Sequence, residues 1–313
     1  MELSVIIPCL NAESTLAVQL EALASQQWSE PWELIIADNG STDKTLEIAN
    51  KYKNCFSGFR IIDASARRGP AFARNIGVTA AHSNRLAFCD ADDEVASGWI
   101  ASMGEALSRY DVVYGKFRFD KFNEPLVAAQ FAKAWENGLY KGKFLPGGGA
   151  GNLGIRRWVH EAIGGFDESL PHAEDADYYW RLQLKGFALH YVSEAVVQVR
   201  LVRVNPSLLY LYRRARNRAA ANYWNYKRYR HLGHLPPEPL KKSLAAWLYV
   251  LRNAACSVLQ SKQKKVAWLK QFAQKTGDLV GQFQGRIKNP CKPYHPSRKL
   301  QKTEEVTNVE KCK

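Results

Sequence analysis

The strongest constraint on the fold of this chain is a regular alternation of short apolar segments and helical patterns over its first 90 residues. Strand-like and helical segments follow one another at 3–8, 12–27, 32–37, 42–53, 59–63, 70–80 and 85–89. Strands joined by helices of this length pair in parallel, and the helices cover both faces of the sheet. Ligands bind such sheets outside the carboxyl ends of the strands. The residues that directly follow each strand are therefore the first candidates for a site.

Beyond residue 95 the alternation weakens, and near residue 200 the chain changes character again. Further strands are predicted at 112–119, 153–155 and 188–199. From 205 to 285 apolar residues recur at helical spacing among Lys and Arg, with prolines between the helices. The polar, basic residues after Asn289 have the composition of a disordered segment. We therefore predict three parts: an α/β domain at 1–200, a basic helical extension at 201–288 and a disordered tail at 289–313.

The formal net charge of +14 arises from the C-terminal part of the chain. Residues 1–200 contain 20 Lys and Arg against 25 Asp and Glu, whereas residues 201–313 contain 24 against 5. Three interpretations of the basic region stay open. Amphipathic basic helices adsorb to anionic membrane surfaces. Arginines interleaved with aromatic rings are typical of a nucleic-acid surface, and the rings here are Tyr223, Trp224, Tyr226 and Tyr229. The third interpretation is a set of helices that packs on the α/β domain and exposes a solvated basic face.

The cysteine pattern and the N-terminal segment bear on the cellular compartment. Six cysteines are scattered without a Cys-x-x-Cys pair, which favours reduced thiols. The N-terminus lacks the basic-then-apolar order of a signal peptide, and no window reaches about 18 uncharged apolar residues. We therefore expect a cytoplasmic protein without a membrane span, and a peripheral one on the cytoplasmic face of the membrane if the basic region binds lipid.

Three carboxylates directly follow the predicted strand at 85–89, within the segment Asp90-Ala91-Asp92-Asp93. Mg²⁺ and Mn²⁺ prefer oxygen ligands, commonly one or two carboxylates together with substrate phosphates. Because carboxylates at a strand end supply such ligands, the segment predicts a divalent-metal site. A solvated acidic turn is the alternative.

A second polar segment, Asp38-Asn39-Gly40-Ser41-Thr42-Asp43, follows the predicted strand at 32–37. It has the composition of a turn and a helix N-cap, with Ser41 or Thr42 capping the helix and Asp43 complementing the helix dipole. A carboxylate at a strand end is also able to accept a hydrogen bond from a nucleobase. Asp38 is therefore the predicted nucleobase contact.

A third segment, at 67–77, opens a helix at a glycine and carries three arginines. Helix N-termini and arginines both bind phosphate oxygens. The segment thus predicts a phosphate contact, and an ordinary surface helix is the alternative.

Five features, in this order, resemble family 2 of the GT-A-fold glycosyltransferases across residues 1–200. They are Pro8 with Asn11, the segment 38–43, the segment 69–77, the segment 90–93, and the segment 164–168 ahead of Glu174-Asp175. The resemblance implies an α/β, GT-A-like fold with a mixed, mostly parallel sheet flanked by helices, followed here by the helical extension. It also implies a metal-dependent, inverting enzyme. Such an enzyme moves a sugar from a nucleotide-sugar, most often UDP-linked, to a saccharide or lipid-linked acceptor in cell-surface polysaccharide or glycolipid synthesis.

The resemblance also implies roles for single residues. The main chain around Pro8 and the side chain of Glu13 would line the nucleoside site, and Asp38 would read the base. Asp90 would lie near the ribose and the donor sugar, and Asp92 would be the ligand of Mn²⁺ or Mg²⁺. Arg68 and Arg74 would contact phosphate or the donor. The complete predicted donor-binding set is Pro8, Asn11, Glu13, Asp38, Asn39, Arg68, Arg74, Asp90 and Ala91.

Glu174-Asp175 resembles the acidic pair of the family, in which the aspartate is the catalytic base. A carboxylate over the acceptor hydroxyl removes its proton as the oxygen attacks the anomeric carbon; simple N-terminal helix charge is the alternative. The Gln-x-x-Arg-Trp motif of processive members does not occur in the sequence, so we expect transfer of a single sugar. The glycine run at 147–151 is either a mobile acceptor-side loop or a linker before a strand.

Two other functions stay open. Transfer to a polyprenyl phosphate would be supported by uninterrupted apolar helical hairpins, which the sequence does not contain. A non-catalytic nucleotide or nucleic-acid binding module on the same fold would bind nucleic acid with a steep salt dependence.

Overall fold

The computed structural model of the protein describes residues 1–135, 138–201, 206–254, 261–288 and 292–294. The strands are β1 (Leu3–Cys9), β2 (Trp32–Asp38), β3 (Phe59–Asp63), β4 (Arg85–Cys89), β5 (Glu94–Val95), β6 (Val112–Arg118), β7 (Asn152–Arg156) and β8 (His190–Gln198). They form one eight-stranded sheet in the order β3-β2-β1-β4-β7-β6-β8-β5.

The sheet has a parallel half and a mixed half. β1 pairs in parallel with β2 and β4, and β2 pairs in parallel with β3. β7 runs antiparallel to β4 and β6, while β8 runs parallel to β6 and antiparallel to β5. The predicted α/β class with a mixed, mostly parallel sheet is confirmed.

Helices surround the sheet and continue into the C-terminal part. They are α1 (Leu16–Ala24), α2 (Thr45–Lys51), α3 (Pro70–Ala80), α4 (Trp99–Arg109), α5 (Pro125–Ala134), α6 (Arg157–Ala162), α7 (Glu174–Leu184), α8 (Leu208–Tyr229), α9 (Leu240–Arg252) and α10 (Lys262–Ile287). The predicted strands and α3 agree with the structure to within two residues at each end.

The first two helices begin later than predicted, because the residues before them bind one another. The backbone N–H of Asn11 donates to Ser41 Oγ at 3.0 Å, and that of Ala12 donates to Thr45 Oγ1 at 2.7 Å. The prediction that Ser41 or Thr42 caps α2 is wrong, since Lys44 holds the N-cap position. The carboxylate of Asp43 instead accepts the N–H of Thr45 at 3.0 Å. The two loops are thus joined into one rigid edge beside β1 and β2.

Both faces of the sheet are buried, as a parallel sheet requires. Along β1, Val5 and Ile7 belong to a core shared with α1 and α4, whereas Ile6 belongs to the opposite core with α3, α6 and α7. Alternate residues of one strand thereby anchor two layers of helices. This packing holds the strand ends in place.

The C-terminal helices form a tightly packed group. α10 lies along α8 on a face with glycine at every fourth position: Gly277, Gly281 and Gly285. A Cβ atom at Gly281 would collide with the carbonyl oxygen of Arg216. Glycine therefore allows the two helix backbones to approach closely.

The extension also packs on the α/β part. Leu170 forms a small apolar cluster with Ala220, Ala221 and Trp224 of α8. Trp224 donates through its indole N–H to the carbonyl of Lys288 at 2.9 Å. The structure therefore shows the packed arrangement of this region. Contact with a membrane stays a prediction, and contact with nucleic acid stays an alternative to it.

Within the described ranges, no helix has the length and apolar character that crossing a membrane requires. Cys9, Cys55 and Cys89 are free thiols. The other three cysteines lie outside the described residues, as does the predicted disordered tail apart from 292–294.

Candidate active site

A cavity of about 400 Å³, here called the first cavity, opens at the carboxyl ends of β1, β2 and β4. Its wall contains the predicted metal ligand Asp92 and most of the predicted donor-binding residues: Pro8, Asn11, Asn39, Arg74, Asp90 and Ala91. They meet because neighbouring parallel strands end at one edge of the sheet.

Two amide side chains shape this cavity. Asn39 donates to the carbonyl of Arg67 at 2.8 Å and accepts the N–H of Gly69 at 2.8 Å, which fastens the start of α3 to the end of β2. Asn11 has a left-handed backbone with φ of 51°, a conformation that Asn tolerates better than most residues. Its Oδ1 accepts the N–H of Thr42 at 2.8 Å.

Three predicted residues lie outside the cavity wall: Glu13, Asp38 and Arg68. Asp38 is buried and its carboxylate accepts the N–H groups of Gly40 and Ser41, so the turn interpretation holds for it. Glu13 accepts the N–H of Lys44, and Arg68 donates to the carbonyls of Asn39 and Gly40. All three thus hold the loops around the cavity, and direct donor contact by them stays a prediction.

Arg74 is buried between two carboxylates. Its guanidinium binds Asp90 Oδ1 at 2.8 Å and Glu174 Oε1 at 3.0 Å. Burial opposes the charge, but Asp90 and Glu174 outweigh it and raise the pKa of Arg74 above its usual value. These two ion pairs, Asp90–Arg74–Glu174, connect the end of β4 with the start of α7. The sequence analysis did not predict this contact.

A buried glutamine fixes the acidic loop after β4. Gln19, on α1, is fully buried. Its amide donates to the carbonyl of Asp90 at 3.1 Å and accepts the N–H of Val95 at 2.9 Å. Sequence reasoning missed Gln19, because one polar residue in an amphipathic helix carries no motif.

Arg200 and Tyr210 also line the first cavity and were not predicted. Arg200 directly follows the last predicted strand, so the rule that identified the other residues also selects it. Its guanidinium lies 4.0 Å from the centre of the Phe122 ring, and its backbone N–H donates to Asp93 at 2.8 Å. Burial and the neighbouring Asp92 and Asp90 raise the pKa of the Asp93 carboxyl well above its usual value.

The protein supplies few ligand oxygens around Asp92. This fits a divalent ion that takes most of its ligands from substrate phosphate and water. No group of three or more His, Cys, Asp or Glu side chains able to hold a metal occurs among the described residues. Asp92 borders the cavity, while one oxygen of Asp90 is bound by Arg74. Withdrawal from bulk water and the charge of Asp90 raise the pKa of Asp92 to about 6. Mg²⁺ is commonly bound in this way, by one or two carboxylates plus phosphate and water.

The three acidic residues at the start of α7 have three different environments. Glu174 pairs with Arg74. Asp177 is fully buried and accepts the hydroxyl of Tyr229 at 2.5 Å, so it anchors α8. Asp175 is half-buried, and burial together with the charge of Glu174 raises its pKa to about 7. All three lie in the first turn of α7, so the base role of Asp175 stays a prediction and helix N-terminal charge stays its alternative.

Asp175 borders a separate cavity of about 320 Å³, here called the second cavity. Gly147 and Gly148 of the glycine run lie in its wall, and Gly147 pairs with Tyr140 through two backbone hydrogen bonds. Gly151, at the end of the run, lies so close to Asp90 that a Cβ atom there would be 2.6 Å from Asp90 Oδ2. The glycine run therefore passes from the second cavity to the wall of the first.

Comparison with known proteins identifies the family. A family model described as glycosyl transferase family 2 matches residues 4–163. The chain belongs to glycosyl transferase family 2. The matched segment contains the first cavity's strand-end residues up to Asp92, whereas α7 and the extension lie beyond it.

Two individual proteins and a solved structure are also similar to the chain. Glycosyltransferase AglE of Haloferax volcanii is 27% identical over 198 residues, which is 62% of this chain and 65% of AglE. The minor teichoic acid biosynthesis protein GgaA of Bacillus subtilis is 27% identical over 249 residues, 73% of this chain and 51% of GgaA. The chain thus spans less than two thirds of the length of these relatives. The crystal structure of S. aureus TarS 1–349 with UDP-GlcNAc has a TM-score of 0.53 at 18% identity, covering 91% of this chain and 92% of that one. This likeness confirms the GT-A-like fold.

Proposed function

We propose that this family 2 protein transfers a single sugar from a nucleotide-sugar to a saccharide or lipid-linked acceptor, with inversion, in cell-surface polysaccharide or glycolipid synthesis. The donor is proposed to be UDP-linked, which the UDP-GlcNAc in the TarS structure supports. The similarity to GgaA, a minor teichoic acid biosynthesis protein, supports a cell-surface product. One observation carries the proposal: Asp92 and Asp175 border two cavities that the chain Asp90–Arg74–Glu174 connects.

In the proposed reaction Asp175 is the general base. Its carboxylate accepts the proton of the acceptor hydroxyl while that oxygen forms a bond to the anomeric carbon. The bond from the anomeric carbon to the diphosphate breaks, and its electron pair leaves with the nucleoside diphosphate. Attack opposite the leaving group inverts the anomeric centre. The raised pKa, about 7, makes Asp175 a stronger base than an ordinary aspartate.

Arg74 is a positioning residue in this proposal. Because its guanidinium holds both Asp90 and Glu174, it sets the distance between the donor side and the base. Arg200 takes the phosphate role, since it borders the first cavity beside the main chain of Asp92, with Nε 3.3 Å from that carbonyl. Arginines at such a wall stabilise the charge of a departing diphosphate.

Mn²⁺ or Mg²⁺ belongs to the proposal as well. Asp92 would hold the ion, and phosphate oxygens and water would complete its ligands. When bound, the ion neutralises charge that develops on the leaving diphosphate.

Nucleotide release from a panel of UDP-, GDP- and dTDP-sugars tests the proposal, with Mn²⁺ or with a chelator. We expect metal-dependent turnover of one donor by the wild type and none by Asp92→Ala. Asp120→Ala is the matched control, since Asp120 is exposed and lies outside both cavities. A wild type that neither binds nor turns over any donor contradicts the proposal.

Peripheral membrane contact through α9 is a further part of the proposed function. α9 exposes Leu248 and Tyr249, 51% and 70% accessible, and its first turn contains Lys241 and Lys242. Apolar side chains beside lysines suit an anionic membrane surface. Cosedimentation with anionic vesicles should decrease in Leu248→Ser, and unchanged binding would contradict the membrane contact.

The non-catalytic binding module receives less support from the packing. Trp224 and Tyr229, two of the rings expected to stack on nucleic-acid bases, are buried against the α/β part and α10. Buried rings offer no stacking surface.

A further inference from the structure

Three segments that lie far apart in the chain form the second cavity. One is the segment closed by the isolated β-bridge between Tyr140 and Gly147, another is the start of α7, and the third is the end of α8 with the residues after it. The ring and amide side chains in its wall are Trp135, Tyr140, Trp180, Asn222, Asn225 and His234. α8 therefore contributes directly to the cavity that contains Asp175.

Aromatic rings form much of this wall and are held in place by their neighbours. Trp135 lies 6.0 Å from Tyr140 between ring centres and packs edge-on to Phe117 at 5.1 Å. Trp180 donates to the carbonyl of Leu145 at 2.8 Å and packs edge-on to His234. Fixed rings of this kind provide a flat apolar surface, which suits the C–H face of a sugar ring.

Polar groups of the same wall have unused hydrogen-bonding capacity. Asn225 is 1% exposed and donates to the carbonyl of Ala173 at 3.4 Å, yet its Oδ1 has no partner among the described residues. Behind the wall, next to Gly148, the hydroxyl of Tyr179 also has no partner within the described part of the chain, although Tyr179 does not itself line the cavity. Asn222, one turn earlier on α8, is exposed to the cavity. Amides and hydroxyls are the groups that bind sugar hydroxyls.

The cavity contains little charge for a phosphate to bind. Its charged lining residues are Asp175 and Lys143. The ammonium of Lys143 donates to the carbonyl of Pro236 at 2.9 Å and lies 3.7 Å from Glu238. Burial lowers the pKa of His234, which keeps the ring neutral. An anionic acceptor end would therefore meet Asp175 without a strong counter-charge.

We propose that the second cavity binds an uncharged pyranose ring at the end of the acceptor, and that α8 selects this ring through Asn222 and Asn225. The cavity's volume, about 320 Å³, lies at the lower end of small-molecule sites. The inference rests on the proposed function, because it places a hydroxyl of the ring beside Asp175 as the attacking group.

The test is a ligand-observed NMR titration of the full chain, with and without UDP, using methyl pyranosides of glucose, galactose, mannose, N-acetylglucosamine and rhamnose. Glycerol 3-phosphate serves as the anionic probe. We expect one pyranoside to bind more tightly than glycerol 3-phosphate. In Asn222→Ala its affinity should fall by about five- to tenfold, the value of one good hydrogen bond. Trp135→Ala should weaken binding as well.

Asn217→Ala is the matched control, because Asn217 lies on the same helix but outside the cavity wall. It should bind the pyranoside like the wild type. The inference is overturned if no pyranoside binds in either condition, if glycerol 3-phosphate binds more tightly, or if Asn222→Ala and Asn217→Ala behave alike. UDP binding is measured separately by calorimetry. If the wild type does not bind UDP, the proposed function is contradicted. The pyranoside titrations are a separate result and decide whether the second cavity binds a sugar ring.

Discussion

The first and second cavities are built from different kinds of structure. The first lies where β1, β2 and β4 end, and its walls are short loops held to the strands. The second lies between α7, the segment around Gly147 and α8, which belong to different layers. Loops on a rigid sheet edge suit a site that must keep its geometry. Added helices suit recognition that changes from one relative to another.

One buried ion-paired chain joins the two cavities. Asp90 borders the first cavity, Glu174 precedes the residue that borders the second, and Arg74 binds both. The difference between the cavities is therefore testable, since some substitutions should affect one cavity and others both.

Among substitutions that affect only one cavity, Asp175→Asn is expected to have the largest effect. Loss of the base should lower sugar transfer by roughly 10²- to 10⁴-fold. Donor affinity should stay at the wild-type value, because Asp175 does not border the first cavity. Transfer kinetics and calorimetry with the donor measure the two effects. Asp111→Asn, at an exposed position, is the control; full activity in Asp175→Asn would exclude Asp175 as the base.

Arg74→Met should affect both cavities and the fold. Removing one partner of a buried ion pair costs about 3–5 kcal/mol in the free energy of unfolding. Denaturant unfolding measures this loss, and donor and pyranoside titrations measure binding in each cavity. Arg118→Met breaks an exposed pair with Asp120 and should cost at most about 1 kcal/mol. If the two variants lose equal amounts of unfolding free energy and of binding in each cavity, Arg74 does not connect the cavities.

Gly281→Val should act mainly on the second cavity, to which α8 contributes Asn222 and Asn225, whereas it contributes Tyr210 to the first. Its side chain would collide with the backbone of Arg216 and push α10 away from α8, at a cost of about 1–3 kcal/mol. Pyranoside binding should weaken while UDP binding is retained. Gln274→Val places the same side chain on an exposed position of α10 and is the control. An unchanged melting temperature in Gly281→Val would contradict the close helix contact.

The smallest effect is a pH dependence. Since Asp175 must be ionised to accept a proton and its pKa is about 7, the transfer rate should rise with pH through 7 and then level off. Glu174→Gln removes a neighbouring negative charge and should move this rise to lower pH. A rate that is independent of pH between 5 and 8 would contradict the assignment.

The raised pKa of Asp175 affects stability in the opposite direction: the transfer rate should rise with pH, whereas the free energy of unfolding should fall. The folded pKa of Asp175 is raised above the unfolded one, so its contribution to stability is fully present below about pH 4 and is lost as pH rises through 7. Asp175→Asn should remove this part of the pH dependence of unfolding.

Much of the first cavity was predictable from the sequence. Asn39 and Asp90 directly follow apolar strands and Pro8 lies near the end of β1. Strand periodicity is a local property that a sequence displays. Arg200 follows the same rule. The starts of α1 and α2 were not predictable, because bonds such as Asn11 to Ser41 join residues from different loops. The role of Gln19 was not predictable either, since it depends on a hydrogen bond to the loop at Asp90, far away in the sequence.

By itself, the sequence determined the α/β alternation, the acidic and amide residues at the strand ends and the basic helical character of the C-terminal region. Only the tertiary structure decided that Arg74 joins Asp90 to Glu174, that Asp177 anchors α8 while Asp175 borders a cavity, and that α8 supplies Asn222 and Asn225 to that cavity. The physical reason is the distance along the sequence over which each interaction acts. Propensity and periodicity act over a few neighbouring residues, whereas the bond from Asn225 to Ala173 spans 52 positions and exists only when two layers of helices pack together.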